Sequence, residues 1–288
     1  MAAAVQCRQP LRRVERRGRM DRREGEALHW RISEESSHSL PDGRTVSCTS
    51  PSEMLTVWED VNHNDAYLAA VQGLAQGALI VDAGAHYGLA ALFFAHHVPN
   101  PTILAFEPVP TTFECLRENL SRHVPGGRPF RCALGRRPGN REMTYSPVAP
   151  CVSTLHADHE EDRRTLEAIV TNTGGNAINA LDLLQQRDAT NYTFPVPVTT
   201  VTEVVEQQGI GTIDLLKIDV ERAELEVLDG VSDEVWPGIR RIVMEVHDVD
   251  GRLAEAASRL RTRHYEVTAS QPTMFRNTNL HMITAIRD

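Results

Sequence analysis

Side chains able to do acid–base chemistry gather at two places late in this 288-residue chain, Lys217-Ile-Asp219-Val-Glu221 and Glu245-Val-His247-Asp248. Each follows an apolar run, Ile213 to Ile218 and Ile239 to Val246, with the pattern of a strand buried on both faces. Adjacent strand ends would bring both groups to one rim. There His247 can take a proton near neutral pH, Asp219 can orient an incoming hydroxyl or the imidazole, and Lys217 can lower a hydroxyl's pKa or pair with Asp219 or Glu245. Glu245 and His247 are two residues apart, so strand alternation faces them to one side, and the favoured expectation is a metal-independent pair with His247 as base and Glu245 as orienter. The alternative makes Asp219 and Glu245 oxygen ligands for magnesium. A third reading leaves the acids and Lys217 as a buried ion network that only braces the rim. Lys217 is the only lysine in a chain with 30 lysines and arginines together. Its compact ammonium, able to lose a proton, is what arginine cannot imitate.

A third stretch supplies a ligand-binding turn. Leu79-Ile-Val-Asp82-Ala-Gly84-Ala-His86-Tyr-Gly88 is an apolar run ending in an acid and then in two glycines, and Leu89 to His97 reads as the helix that follows. In open parallel sheets ligands bind outside the carboxyl ends of the strands, and glycine lets the backbone come close to them. The dinucleotide fingerprint needs three glycines, and here there are two. An acid at the strand end suits a ligand carrying an amine, and S-adenosylmethionine is such a ligand. The next strand, Thr102 to Phe106, ends in Glu107-Pro108, where a carboxylate can accept both ribose hydroxyls.

Asp82-Ala-Gly-Ala-His-Tyr-Gly88, Ala105-Phe-Glu-Pro108, Ala133-Leu-Gly135, Ile213-Asp-Leu-Leu-Lys-Ile-Asp-Val-Glu221 and Val243-Met-Glu-Val-His247 resemble, in this order, the FkbM-type S-adenosylmethionine-dependent methyltransferases. The likeness runs from Leu40 to Ile286. It implies an α/β, Rossmann-like class I methyltransferase fold: a mostly parallel seven-stranded sheet with helices on both faces and an N-terminal helical lead-in. It implies cofactor contacts from Asp82, Gly84, His86, Gly88, Glu107 and Ala133, the last beside the adenine. Two positions depart from the pattern, His86 where the family usually has Asn and Arg222 where it usually has Gly. The activity implied is O-methyl transfer to a hydroxyl or carboxyl of a small or medium organic molecule, such as a secondary metabolite. The rivals are an NAD-linked oxidoreductase, disfavoured by the missing glycine, and a non-catalytic methyltransferase-like partner subunit.

Residues 1–23 carry a net charge of +6, which leaves −15 on the remainder of a chain whose total is −9. An acidic body argues against nucleic acid as substrate. The basic head, residues 1–27, has few large apolar residues and is expected to be disordered. Residues 28–288 form one methyltransferase domain in this reading, with 28–77 as lead-in or cap and 136–199 as a variable, acceptor-facing region. No apolar run reaches the length of a membrane span, five scattered cysteines suggest reduced thiols, and a cytoplasmic location is expected.

The remaining elements follow from pattern. A hairpin is expected around Asp42-Gly43, helices over Ser52 to Val61 and Asn64 to Gln72, and a helix opened by Pro110. Phe130 to Leu134 is expected as the third strand. Asp158 to Ile169 is a helix candidate inside the variable region, where His156 and His159 have the spacing of two metal ligands but no third nearby, so solvated histidines are the preferred reading. Helices over Val201 to Gln207, Ala223 to Leu228 and Arg252 to Leu260, then an antiparallel pair, Tyr265 to Thr268 and Met282 to Ile286, complete the sheet.

Overall fold

A computed structural model describes residues 37–147, 149–172 and 191–287. The basic head, the start of the lead-in and residues 173–190 of the variable region lie outside the described residues. The chain opens with a hairpin, β1 (Ser37–Ser39) and β2 (Thr45–Ser47), turning at Gly43. Two helices follow, α1 (Pro51–His63) and α2 (Asp65–Val71). Asn64 separates them by capping α2, its side chain accepting from the backbone of Ala66 and Tyr67.

Strands and helices then alternate: β3 (Leu79–Ala83), α3 (Leu89–His97), β4 (Thr102–Phe106), α4 (Pro110–His123) and β5 (Gly127–Phe130). An excursion holds β6 (Ala133–Leu134), β7 (Gly139–Tyr145), α5 (His159–Asn172) and β8 (Tyr192–Thr199). Alternation resumes with α6 (Val201–Gln208), β9 (Leu215–Ile218), α7 (Glu224–Asp229), β10 (Arg241–His247), α8 (Arg252–Arg261), β11 (Glu266–Ser270) and β12 (Leu280–Ile286).

The seven-stranded sheet has the order β5-β4-β3-β9-β10-β12-β11, and β12 is its antiparallel member. This is the expected doubly wound α/β, Rossmann-like architecture. Strand order reverses between β3 and β9, so the crevice for a ligand opens at their carboxyl ends. Alternation along each strand sorts the core into two layers. Ile80, Ile103, Leu215 and Val243 pack with α1 to α4; Val81, Leu104, Leu216 and Met244 pack with α6, α7 and α8. Asp82, Glu107, Lys217, Glu245 and His247 carry the parity of the first layer, beneath the lead-in helices.

Two expectations change. The strand predicted over Phe130 to Leu134 divides, because β5 ends at Phe130 while Ala133 and Leu134 leave to pair with β8. The variable region supplies β7 and β8 to a second sheet of order β6-β8-β7. Its strands escape pattern reading because β7 is mostly solvent-facing and β8 contains Pro195 and Pro197. The prolines are tolerated because β6 covers only Val198 and Thr199, which leaves the proline stretch with one open edge.

The turn after β3 is shaped by its neighbour. Gly84 has φ +76, and a Cβ there would lie 1.7 Å from the carbonyl oxygen of Asp219. Close approach of the β3 and β9 turns, rather than room for a ligand, is what first excludes a side chain. Gly43 has a similar φ, +86, with nothing within 4 Å of its added Cβ. Gly84→Ala is therefore expected to lose much more stability in urea than Gly43→Ala, which reports only left-handed strain, about 1–3 kcal/mol. Equal losses would show that the two turns are not pressed together.

Candidate active site

The carboxyl ends of β3, β4, β9 and β10 open into a cavity of about 500 Å³. Of the residues expected to bind cofactor, Gly84, His86, Glu107 and Ala133 line it. Asp219, Glu245 and His247, expected to act on the acceptor, line it as well. Asp82, Gly88 and Lys217 do not. Gly88, with φ +84, starts α3, and its backbone packs toward Leu116.

Asp82 and Lys217 are neighbours across the β3–β9 ladder, both buried. The ammonium lies 3.1 Å from Asp82 Oδ1 and 3.3 Å from Asp219 Oδ2, and donates to the carbonyl of Gly84 at 2.7 Å. Burial works to lower the Lys217 pKa, but the two carboxylates carry it upward, so the group stays charged. Lysine is thus required here as a compact cation on which three acceptors converge. The expectations of a removable proton on Lys217 and of a ligand amine on Asp82 give way to this structural pairing.

Glu107 is the buried acid of the cofactor end. Its Oε2 accepts from the His86 N–H at 3.0 Å and its Oε1 from the Val109 N–H at 2.9 Å, so the carboxylate is fixed while still facing the cavity. Burial pushes its pKa up to about 7 despite these bonds. The His86 imidazole, 15% exposed, has no hydrogen-bond partner at either ring nitrogen. Burial and the Lys217 charge hold it neutral, pulling its pKa down to about 3. Its Nε2 lies 3.6 Å from Glu53, a contact between a neutral ring and a carboxyl rather than an ion pair.

The lead-in supplies a wall. Glu53 and Asp60 of α1 reach the cavity. Glu53 accepts from the Tyr87 hydroxyl at 3.0 Å and the Cys151 N–H at 2.6 Å, and the Tyr67 hydroxyl of α2 donates to Asp219 at 3.4 Å. Burial pushes both Glu53 and Asp60 up to about 7. Sequence reading passed over these acids because their partners are far away along the chain. The available signal was an acid at i and i+7 on the apolar stripe of Val57 and Val61.

At the opposite end His247 is 4% exposed and held on both sides, its Nδ1 2.9 Å from Glu224 Oε1 and its Nε2 3.2 Å from Glu221 Oε2. Burial alone would lower its pKa, yet the two carboxylates raise it well above the ordinary histidine value. The two carboxylates thus favour its protonated form in this arrangement. The carboxylate that orients it is Glu224, not Glu245 as expected. Donor atoms of Glu221, Glu245 and His247 lie within 4.8 Å of one another. Asp219, the expected metal partner of Glu245, is instead engaged by Lys217 and Tyr67. Glu224, at the start of α7, went unnoticed because it lies 23 residues from His247.

The excursion closes over this end. Asp162, Leu166 and Ile169 of α5 line the cavity. Arg222, at φ +73, pairs with Asp162 and thereby ties α5 to the turn after β9. His156 is bound to Glu226 at 2.6 Å, and the His159 side chain is outside the described residues.

Two predictions follow from the charges. Lys217→Met should cost roughly 3–5 kcal/mol by leaving Asp82 buried and unpaired, and Asp82→Asn should restore part of it; additive losses in a double-mutant cycle would deny the coupling. For Glu53, Asp60 and Glu107 the folded pKa is near 7 against 4.5, 3.8 and 4.5 ordinarily. Their protonated forms favour the fold, a contribution complete below the ordinary values and lost as pH rises through about 7. The melting temperature of the ligand-free protein should therefore fall from pH 5 to 7.5, and Glu107→Gln should flatten the curve. A rise over that window would mean that these carboxyls are ionised in the folded protein.

Comparison with known proteins identifies the family. A family model described as Methyltransferase FkbM domain matches residues 82–269, a span that includes the Gly84 turn, Glu107 and both acid-bearing strand ends. The chain is 37% identical over 248 residues to the 31-O-demethyl-FK506 methyltransferase FkbM of Streptomyces tacrolimicus, covering 86% of this chain and 95% of that protein. It is 32% identical over 209 residues to methyltransferase sdnD of Sordaria araneosa, covering 69% and 77%. The solved methyltransferase FkbM of Methylobacillus flagellatus KT aligns at 10% identity over 79% of this chain and 47% of that one, with a TM-score of 0.49, too loose a likeness to carry weight. On the family match and these identities, the chain belongs to the FkbM methyltransferase family.

Proposed function

We propose that this protein is an S-adenosylmethionine-dependent O-methyltransferase acting on a hydroxyl or carboxyl of a small or medium organic molecule with an apolar body, of the secondary-metabolite kind. The observation that carries the reading is one cavity with two chemically different ends. At one end Glu107 is pinned by two backbone N–H groups beside the neutral, unpartnered His86 imidazole. At the other stand Glu221, Glu245 and His247.

The first end fits an adenosine-bearing sulfonium. Glu107 would accept the ribose hydroxyls, Ala133 would lie against the base, and His86 would meet the methionine end. The cavity's acids, Glu53, Asp60 and Asp219 among them, suit a cation. When bound, the cofactor supplies an activated methyl group. The chain's own task is alignment and proton removal. Asp219, held by Lys217 and Tyr67, fixes the boundary between the two ends. The acceptor's proton is taken up within the group formed by Glu221, Glu245 and His247. Val57, Val61, Leu155, Leu166 and Ile169 face the same space, and they suit the apolar body of the acceptor, with α5 as a substrate-facing lid. The name of the Streptomyces relative, a methyltransferase of a demethylated natural product, supports an oxygen acceptor.

Calorimetric titration should show saturable binding of S-adenosylhomocysteine and none of NAD. Glu107→Ala should weaken that binding by about 1.5–3 kcal/mol, the cost of hydrogen bonds lost to a charged group. Tight NAD binding, or affinity unchanged in Glu107→Ala, would remove the cofactor assignment.

A further inference from the structure

Glu221, Glu245 and His247 come from the ends of two adjacent parallel strands, and their donor atoms converge within 4.8 Å. His247 is held as a metal-ligating imidazole is held. Glu224 Oε1 sits 2.9 Å behind Nδ1, and this turns Nε2 toward Glu221 and the cavity. A carboxylate behind the far nitrogen fixes the tautomer and makes the near nitrogen a better donor. Glu224 is itself 1% exposed, and its other oxygen has no hydrogen-bond partner.

Glu245 adds an independent sign. It makes no hydrogen bond and no ion pair among the described residues, and the charges that act on it most are the acids Asp219, Glu221 and Asp60 and the His247 ring. Lys217 is engaged by Asp82 and Asp219, and Arg222 by Asp162. His247 is already divided between Glu221 and Glu224. Acids this close in a cavity repel unless a cation stands between them.

We propose that Glu221, Glu245 and His247 bind one divalent cation of the manganese and magnesium class, with the remaining coordination positions open to the cavity. Two carboxylates and one imidazole suit an octahedral, oxygen-rich ion, and the imidazole favours manganese over magnesium. Two carboxylates with a neutral imidazole also balance a double positive charge. With the ion in place, Nε2 is a ligand and the proton it carries is displaced. The open positions would take water or acceptor oxygens, so the ion would acidify the hydroxyl it holds. That role rests on the methyltransferase reading above, whereas the binding site does not.

The test is titration of the full chain, freed of metal with EDTA and passed through a desalting column, with Mn²⁺ alone. Calorimetry and electron paramagnetic resonance should count one ion per chain, displaceable by Mg²⁺. Pulsed resonance should detect an imidazole nitrogen bound to the ion, and His247→Gln should abolish that signal. Glu245→Gln should weaken binding at least ~10-fold, with a cooperative unfolding transition retained. Glu221→Gln is the replacement variant if Glu245→Gln does not fold. Absence of saturable Mn²⁺ binding, or binding unchanged in the Glu245→Gln/His247→Gln double variant, would overturn the site. S-adenosylhomocysteine binding without Mn²⁺ binding sinks the metal proposal alone, and the reverse pattern sinks the cofactor reading while leaving the site.

Discussion

The Lys217 ammonium fastens the point on which the cavity depends. It sits where strand order reverses, between β3 and β9, and joins Asp82 to Asp219 while holding the carbonyl of Gly84. Parallel neighbours bring their carboxyl ends together, but backbone pairing stops at the last residue of each strand, and the turns beyond it need their own fastening. Here one buried cation supplies it. The same contact keeps Gly84 pressed against the Asp219 carbonyl and places Asp219 at the cavity, with Tyr67 reaching it from the lead-in. A guanidinium offers five donors in a plane, whereas these acceptors converge on one point. That accounts for a lysine surviving in a chain that otherwise uses arginine.

Three non-glycine residues at positive φ stand around the same rim. His86, Glu221 and Arg222 have φ of +50, +50 and +73, a region costly for side chains other than glycine, asparagine and a few others. The two positions where the resemblance to FkbM-type sequences leads to an expectation of Asn and Gly are thus positions whose backbone suits those residues. His86 keeps a residue tolerated there and gains a ring that enters the cavity. Arg222 accepts the strain and gains a guanidinium that reaches Asp162 on α5. In both departures a backbone cost is exchanged for a contact that shapes the site.

Much of the sheet was legible in the sequence because β3, β4, β9 and β10 are largely buried on both faces and therefore appear as predominantly apolar runs, interrupted at Asp82, Lys217 and Glu245. The turns were legible as well, since an acid or glycine directly after such a run has few other uses. Legibility failed where pairing was irregular, as in β7 and β8, and where partners were distant. Lys217 could be singled out by its rarity, but whether its proton is removable depends on Asp82 lying beside it, and strand register is not written in spacing. Likewise His247 announced itself as an ionisable group at a strand end. Its state depends on Glu221 and Glu224 on another turn, which favour its protonated form.

The acids of the cavity explain why the lead-in belongs to the site. Glu53 and Asp60 add two half-buried carboxyls to a rim that already holds Asp219, Glu221 and Glu245. A fold seeking only stability would not assemble these groups, because Glu53, Asp60, Glu221 and Glu245 are pushed toward their neutral forms by burial and by neighbouring acids. The cost is recovered when positive charge enters, since every carboxyl that ionises around a cation regains the interaction that desolvation removed. A sulfonium at one end and a divalent ion at the other would both meet this condition. On that reading the loaded cavity would be the more stable one, and the α1 wall, which contributes the acids Glu53 and Asp60, would make that preference steeper.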